Sequence, residues 1–220
     1  MLRQRCCGTM APMQKDALVA ARRLLASDRR RRGEPEVIDT LLRFGPGALA
    51  YALRSRVRVV LLRSGELYRE ASPALARLGI DVDAWPAPPA GLFVVEERAL
   101  FLRSRSPMTV AHEFGHALDC ALGGGVYRSG IDPQIRGLFA SATTFVTPYA
   151  ATGVDEYFAE SLRAFVEAND PASPWPRATR ARLRHSDPAM LEFVESLFAA
   201  EFGAVFPDRH ASEAPNVVSI

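Results

Sequence analysis

The segment Val110–Cys120, VAHEFGHALDC, decides how the rest of the chain is read. His112 and His116 are four residues apart, so on a helix they lie one turn apart on one face and can grip a single metal ion. Imidazole at that spacing suits zinc. Glu113, next to the first histidine, is placed to take a proton from an attacking water rather than to bind the metal. The surrounding residues predict the helix. Pro107 suits its start, Thr109 can cap it, and Val110, Phe114, Ala117, Leu118 and Ala121 form an apolar face at helical spacing before Gly123–Gly125 ends it. Gly115 costs about 1 kcal/mol against alanine in a helix, so a glycine between two ligands points to close packing or substrate approach. Without metal chemistry the stretch would be an amphipathic core helix with two surface histidines, and its glutamate would then need partners of its own.

Two histidines and a water leave zinc one protein ligand short. A third histidine six residues beyond His116, the metzincin pattern, is excluded because Leu122 stands there. Carboxylates come next, and the best placed is Glu156 in DEYFAESLRAF, on a helix expected over Val154–Ala168, with Glu160 one turn further on the same face. Two imidazoles and one carboxylate with an open fourth position make a catalytic rather than a structural site. Glu160, and Asp119 three residues past His116, are candidates for acceptors that orient the imidazoles; otherwise they are solvated surface charges.

HEFGHALD, followed some thirty residues later by TPYAATGVDEYFAESLRAF, resembles the catalytic domain of anthrax toxin lethal factor and its relatives, the Pro-Pro endopeptidases. The resemblance is detailed at these two motifs, weaker over residues 57–105, and not traceable through residues 1–35 or the tail. It implies an α+β, zincin-like fold of two small lobes, one a mixed sheet with helices and one all-helical, with the active helix lining the cleft. It also implies one Zn²⁺ held by His112, His116 and Glu156, with Glu113 as the general base and Tyr149, seven residues before the third ligand, stabilising the tetrahedral intermediate. The activity implied is a zinc metalloendopeptidase of the lethal-factor type, cutting an extended segment of another protein as a secreted or delivered effector; a gluzincin-like peptidase acting on small peptides is the second enzyme reading.

Outward from the motif, Val57–Leu62 (VRVVLL) reads as a central strand, and Gly91–Glu96 with Ala99–Arg103 as a hairpin turning at Glu97–Arg98. Its second strand leads into the active helix, so that strand's free edge is expected beside the metal, where strand addition could hold a peptide. Asp81–Gly91 is too proline-rich for either element and reads as a loop. Gln14–Leu25 and Glu36–Ser55 are helical, the latter interrupted at Gly45–Pro46–Gly47. After Gly123–Gly125 only helices and loops remain: Pro133–Ser141, Val154–Ala168, Arg177–Arg184 and Pro188–Phe202, with a break at Asp170–Pro176. The expected organisation is a basic arm and helix (1–34), a sheet-bearing lobe ending in the active helix (35–122), a helical lobe carrying the third ligand (123–206) and a tail (207–220), the lobes forming one catalytic domain.

At 220 residues, 48% hydrophobic and 24% charged, the chain is neither fibrous nor disordered. The net charge is +2, yet residues 1–60 carry 13 basic against 5 acidic side chains and the remainder 14 against 20. The run Arg29–Arg32 suits a solvated helix end; as a nucleic-acid or membrane patch it lacks the interleaved aromatics of a single-strand binder. A catalytically inactive zincin-fold binding module docked by that arm is the alternative function. No obligate nucleic-acid partner is expected, and the chain is expected to be a monomer. No signal-peptide h-region or membrane span is readable, which leaves a cytoplasmic protein or one exported by a signal-independent route. Cys6, Cys7 and Cys120 make neither a zinc cluster nor a disulfide framework, and lipidation of Cys6 or Cys7 is weakly supported.

Overall fold

The computed structural model describes residues 12–25, 33–175 and 177–203. The arginine run, Cys6, Cys7 and the tail lie outside them. In chain order the described helices and strands are α1 (Pro12–Leu24), α2 (Glu34–Leu42), α3 (Gly45–Arg54), β1 (Arg58–Leu61), α4 (Tyr68–Ala71), α5 (Pro73–Leu78), β2 (Gly91–Val94), β3 (Ala99–Leu102), α6 (Pro107–Leu122), α7 (Arg128–Ile131), α8 (Pro133–Ser141), α9 (Val154–Phe165), α10 (Arg180–Ser186) and α11 (Pro188–Phe202). The architecture is mixed α+β, a small three-stranded sheet among many helices. No helix among the described residues is long and apolar enough to cross a membrane.

The sheet order is β1-β3-β2, with β1 parallel and β2 antiparallel to β3. Two expectations are corrected here. The β-branched run forms an edge strand, not the central one, and on its outer side Val59 makes a bridge with Leu25. The centre is β3, whose ALFL is buried at all four positions. Leu100 and Leu102 point into the main core, while Ala99 and Phe101 point into a second cluster with Leu62, Tyr68, Leu75 and Val82. A strand buried on both faces reads as a continuous apolar run, which is what ALFL is. Because β3 is paired on both sides, the free edge beside the active helix belongs to β2. Arg103 N donates to Ala90 O at 3.0 Å, so the alternate residues Gly91 and Phe93 turn their backbone groups towards that free edge.

The main core runs from Ala17 through the helices to Phe202. The helix α6 crosses its middle, with Val110, Phe114, Ala117 and Leu118 fully buried; fully burying side chains of this size stabilises by about 1.5–3 kcal/mol each for the larger ones. Pro107 opens the helix as expected. Thr109 does not cap it: the N-cap position is Ser106, which makes no side-chain cap, and Thr109 sits inside the first turn. Gly45–Pro46–Gly47 opens α3 rather than merely separating two helices. The backbone of Phe202 passes so close that a methyl on Gly47 would lie 1.8 Å from its carbonyl oxygen.

Candidate metal centre and active site

Two helices build the site. His112, Glu113 and His116 come from α6, Glu156 and Glu160 from α9, and the two helices touch where Gly115 meets Ala159: a Cβ on Gly115 would lie 3.0 Å from the Ala159 Cα and 3.1 Å from its carbonyl oxygen. On α9, Asp155 and Glu156 occupy the first turn and Arg163 the last, each sign at its favoured end of the helix dipole. The sharp approach places His112 Nε2 and His116 Nε2 3.1 Å apart, with Glu156 Oε2 3.0 Å from the first and 3.3 Å from the second.

These three atoms fit a metal ion. Tetrahedral bonds of about 2.0–2.2 Å put donor atoms roughly 3.3–3.6 Å apart, a few tenths of an ångström beyond the separations seen. The set is the group of acidic and imidazole side chains among the described residues whose ligand atoms all lie within 4.8 Å of one another. Glu156 Oε2 is buried without a hydrogen-bond partner although it is 3.0 Å from a ring nitrogen. His112 Nδ1 lies 2.9 Å from Glu160 Oε1, an acceptor only, so Nδ1 holds a ring proton and Nε2 is the nitrogen left to bind a metal ion. Burial disfavours charge on His112, but the carboxylates of Glu156, Glu160 and Glu113 outweigh it and raise its pKa to about 10. The surroundings therefore favour a positive charge at this point, whether a proton or a metal ion brings it.

Glu160 is held by more than the imidazole. Its oxygens accept from Arg163 Nε and Nη2, both at 2.8 Å, and from Thr147 Oγ1 at 2.6 Å. Burial pushes its pKa up, and His112 and Arg163 reverse this and bring it to about 2, so it stays an acceptor. Asp119 does not orient an imidazole. Its oxygens accept from Ser129 N at 2.8 Å and Ser129 Oγ at 2.5 Å, while His116 Nδ1 is buried without a partner. The reason is the turn after α6, which folds the chain back so tightly that a Cβ on Gly123 would lie 2.1 Å from Val126 O, bringing Ser129 onto Asp119. Burial, partly offset by the Ser129 bonds, raises Asp119 to about 6.

Glu113 stands beside the donor set but outside it, against Gly91 at the start of β2. It is buried, and burial raises its pKa against the lowering effect of His112, His116 and a hydrogen bond from the Phe93 backbone. A carboxyl shifted upward is better matched to exchanging a proton near neutral pH. Gly91 makes this position possible, since a Cβ there would lie 2.6 Å from Glu113 Cγ and 2.8 Å from Thr109 Cγ2. Tyr149 sits on a one-turn 3₁₀ helix (Tyr149–Thr152), its ring 5.3 Å from that of His112 and its hydroxyl donating to Glu156 Oε1 at 3.2 Å. Burial and the Glu156 carboxylate raise its pKa, which keeps it a donor. Tyr127 flanks His116 in the same manner, ring centroids 5.5 Å apart. A cavity of about 270 Å³ opens beside His112 and Glu113.

The structure thus brings His112, Glu113, His116, Glu156, Glu160 and Tyr149 together and leaves Asp119 apart. Sequence reasoning missed Arg163, Thr147, Tyr127 and Gly91. Arg163 follows Glu160 by three residues, a spacing that pairs charges on a helix, and Gly91 is an isolated glycine at a strand start, a mark of close approach. Thr147 and Tyr127 carry no such signal.

No protein-family model matches the sequence, and no curated protein is similar to it. The fold is similar to that of the Pro-Pro endopeptidase PPEP-2 from Paenibacillus alvei, with a TM-score of 0.59 and 20% identity over 81% of this chain and 100% of that one. At that identity the likeness is one of fold: a mixed sheet-and-helix frame of the same kind carries the His112, His116 and Glu156 cluster described above.

Proposed function

We propose that the chain is a zinc-dependent metalloendopeptidase of the lethal-factor type, hydrolysing peptide bonds in an extended segment of another protein. The observation that carries this reading is the convergence of His112 Nε2, His116 Nε2 and Glu156 Oε2 within 3.3 Å of one another, with Glu113 beside them but outside the set. The fold shared with a Pro-Pro endopeptidase supports it. So does the order of elements, since every described strand precedes α6 and the described chain beyond it is helical.

When bound by His112, His116 and Glu156, zinc supplies the positive charge that polarises a scissile carbonyl and acidifies water. The protein supplies the rest. The free edge of β2 offers the Gly91 backbone and the Phe93 carbonyl to an extended peptide, the Phe93 N–H being held by Glu113, and this fixes the peptide's direction across α6. Glu113, buried and with its pKa raised, takes a proton from the attacking water and passes it to the leaving amine. Tyr149 leaves Glu156 Oε1 and donates to the oxygen on which charge develops. Glu160 and Arg163 hold His112 with its lone pair on Nε2.

The test is cleavage of a peptide library by the wild-type protein and by Glu113→Gln, with zinc determined on both. Expected is cleavage by the wild type alone, lost by several orders of magnitude in the variant, with zinc on both. Zinc on neither overturns the reading.

A further inference from the structure

The cavity beside the donor set has a construction of its own. Its walls are Pro89 and Gly91 at the entry to β2, Met108 and Thr109 from the first turn of α6, and Trp175; His112 and Glu113 stand at its inner end. The charges that reach it are spent within the protein. Arg163 and Glu160 bond each other through two 2.8 Å contacts, and Glu113 is the remaining acidic group in the lining. At about 270 Å³ the cavity can take one bulky side chain.

Trp175 is the unusual member. It is 56% exposed although it is the largest kind of apolar side chain, and it lies on a loop rather than on a helix or strand. The loop is closed at its neck: Asn169 Nδ2 donates to Ala178 O and Ala178 N to Asn169 Oδ1, both at 2.8 Å, while Arg163 Nη1 reaches Asn169 Oδ1 at 3.4 Å. The arginine that supports Glu160 therefore also ties down the base of the loop that presents Trp175 to the cavity. A large aromatic left in water beside a reacting centre, on a loop whose base is fixed, is the arrangement of a contact residue.

We infer that Trp175 is the specificity-determining residue of a side-chain pocket beside the reacting centre, and that the substrate is an extended peptide with a bulky uncharged residue, aromatic or branched aliphatic, next to the bond cleaved. This rests on the endopeptidase reading. An acidic residue there would be repelled by Glu113, and a basic one would find no carboxylate free of other duties.

The experiment compares the zinc-loaded wild type with Trp175→Ala on peptides that differ only at the two residues flanking the cleaved bond: Phe, Leu, Ala, Asp or Lys. The wild type should favour Phe or Leu over Asp and Lys by tenfold or more in kcat/KM at one flanking position. Trp175→Ala should lose about tenfold on the Phe peptide and little on the Ala peptide, with an unchanged melting curve. A second readout does not depend on turnover. In a Trp85→Phe, Glu113→Gln background, Trp175 is the remaining tryptophan, and its emission should shift to the blue as the Phe peptide is titrated in. Cleavage by the wild type with the same profile in Trp175→Ala, or peptide cleaved by the parent without a shift in the reporter, overturns this inference alone. Cleavage of nothing by the wild type overturns the reading beneath it as well.

Discussion

Replacing Glu160 by glutamine keeps the shape of the side chain and removes its charge. In the protein, Glu160 is 3% exposed and accepts from four donors: His112 Nδ1, Thr147 Oγ1 and two nitrogens of Arg163. A glutamine amide turns one accepting oxygen into a donor, so one Arg163 nitrogen must face an N–H, and the guanidinium, 2% exposed, is left without its counter-ion. Breaking a buried pair from one side costs about 3–5 kcal/mol. The pKa gives a second route to the magnitude. A carboxyl brought from 4.5 to about 2 on folding contributes about 3 kcal/mol, present above the unfolded-state value and lost as pH falls through the folded one. Both routes place the loss near 3 kcal/mol, which for a chain of this size lowers the melting temperature by roughly 6–12 °C. The same substitution frees His112 to turn its proton towards the donor set, so zinc affinity should fall about 10–100-fold. Circular dichroism melts of the chelated protein read the first effect, and competition with a fluorescent zinc chelator reads the second. Adding Arg163→Met to Glu160→Gln should recover part of the lost stability, because the stranded charge goes with it. The reasoning is refuted if Glu160→Gln melts within 2 °C of the wild type, or if the double variant is no more stable than the single one.

Gly91→Ala sets a methyl 2.6 Å from Glu113 Cγ; the carboxylate must move, and peptide cleavage should fall by about 10²-fold at unchanged zinc content. Gly47→Ala meets backbone rather than a yielding side chain, the Phe202 carbonyl at 1.8 Å, so urea unfolding should show a loss of about 1–3 kcal/mol or more, with the zinc site of the folded fraction intact. Asp119 binds its proton more tightly folded than unfolded, from 3.8 to about 6; ionising it costs stability above the folded value and the cost disappears as pH falls towards the unfolded one. The wild type should therefore gain about 2 kcal/mol relative to Asp119→Asn between pH 7 and pH 4, measured by denaturant titration at each pH; a difference that does not change with pH removes this account of Asp119.

What the sequence made legible follows from how local each signal is. The ends of α8 and α11 coincide with expectation because each begins at an Asp-Pro pair whose aspartate caps the helix, Asp132 on Gln134 N and Asp187 on Met190 N, and α11 stops at Gly203 in the left-handed conformation. The helices α4 and α7 have four residues each, too short for apolar periodicity to register. The strand order was read wrongly because β-branched residues advertise a strand, not its place; burial on both faces picked β3, and with it moved the free edge to β2. In the site, His112, Glu113 and His116 are a single contiguous pattern. Glu156 and Tyr149 lie in a second. Thr147 and Tyr127 reach the centre only through tertiary packing, and Asp119 was drawn away by Ser129, ten residues on, across a turn no spacing rule describes.

One contact explains why the two motifs can act together. His112 is met at both ring nitrogens by carboxylates of a single helix, Glu156 Oε2 at 3.0 Å from Nε2 and Glu160 Oε1 at 2.9 Å from Nδ1. An imidazole can be straddled this way only by residues one turn apart, and only if their helix comes close enough for short reach on both sides. Ala159, immediately before Glu160, lies against Gly115, between His112 and His116, and the gap leaves almost no room for a methyl. A glycine that weakens α6 as an isolated helix by about 1 kcal/mol is what lets α9 approach. The i,i+4 spacing of the histidines then meets the i,i+4 spacing of the glutamates, so that Glu156 joins the two imidazoles in the candidate metal set while Glu160 holds His112 from its other nitrogen. A larger residue at 115 would separate the helices, so its effect should appear in zinc affinity before it appears in the sheet or in the remainder of the core.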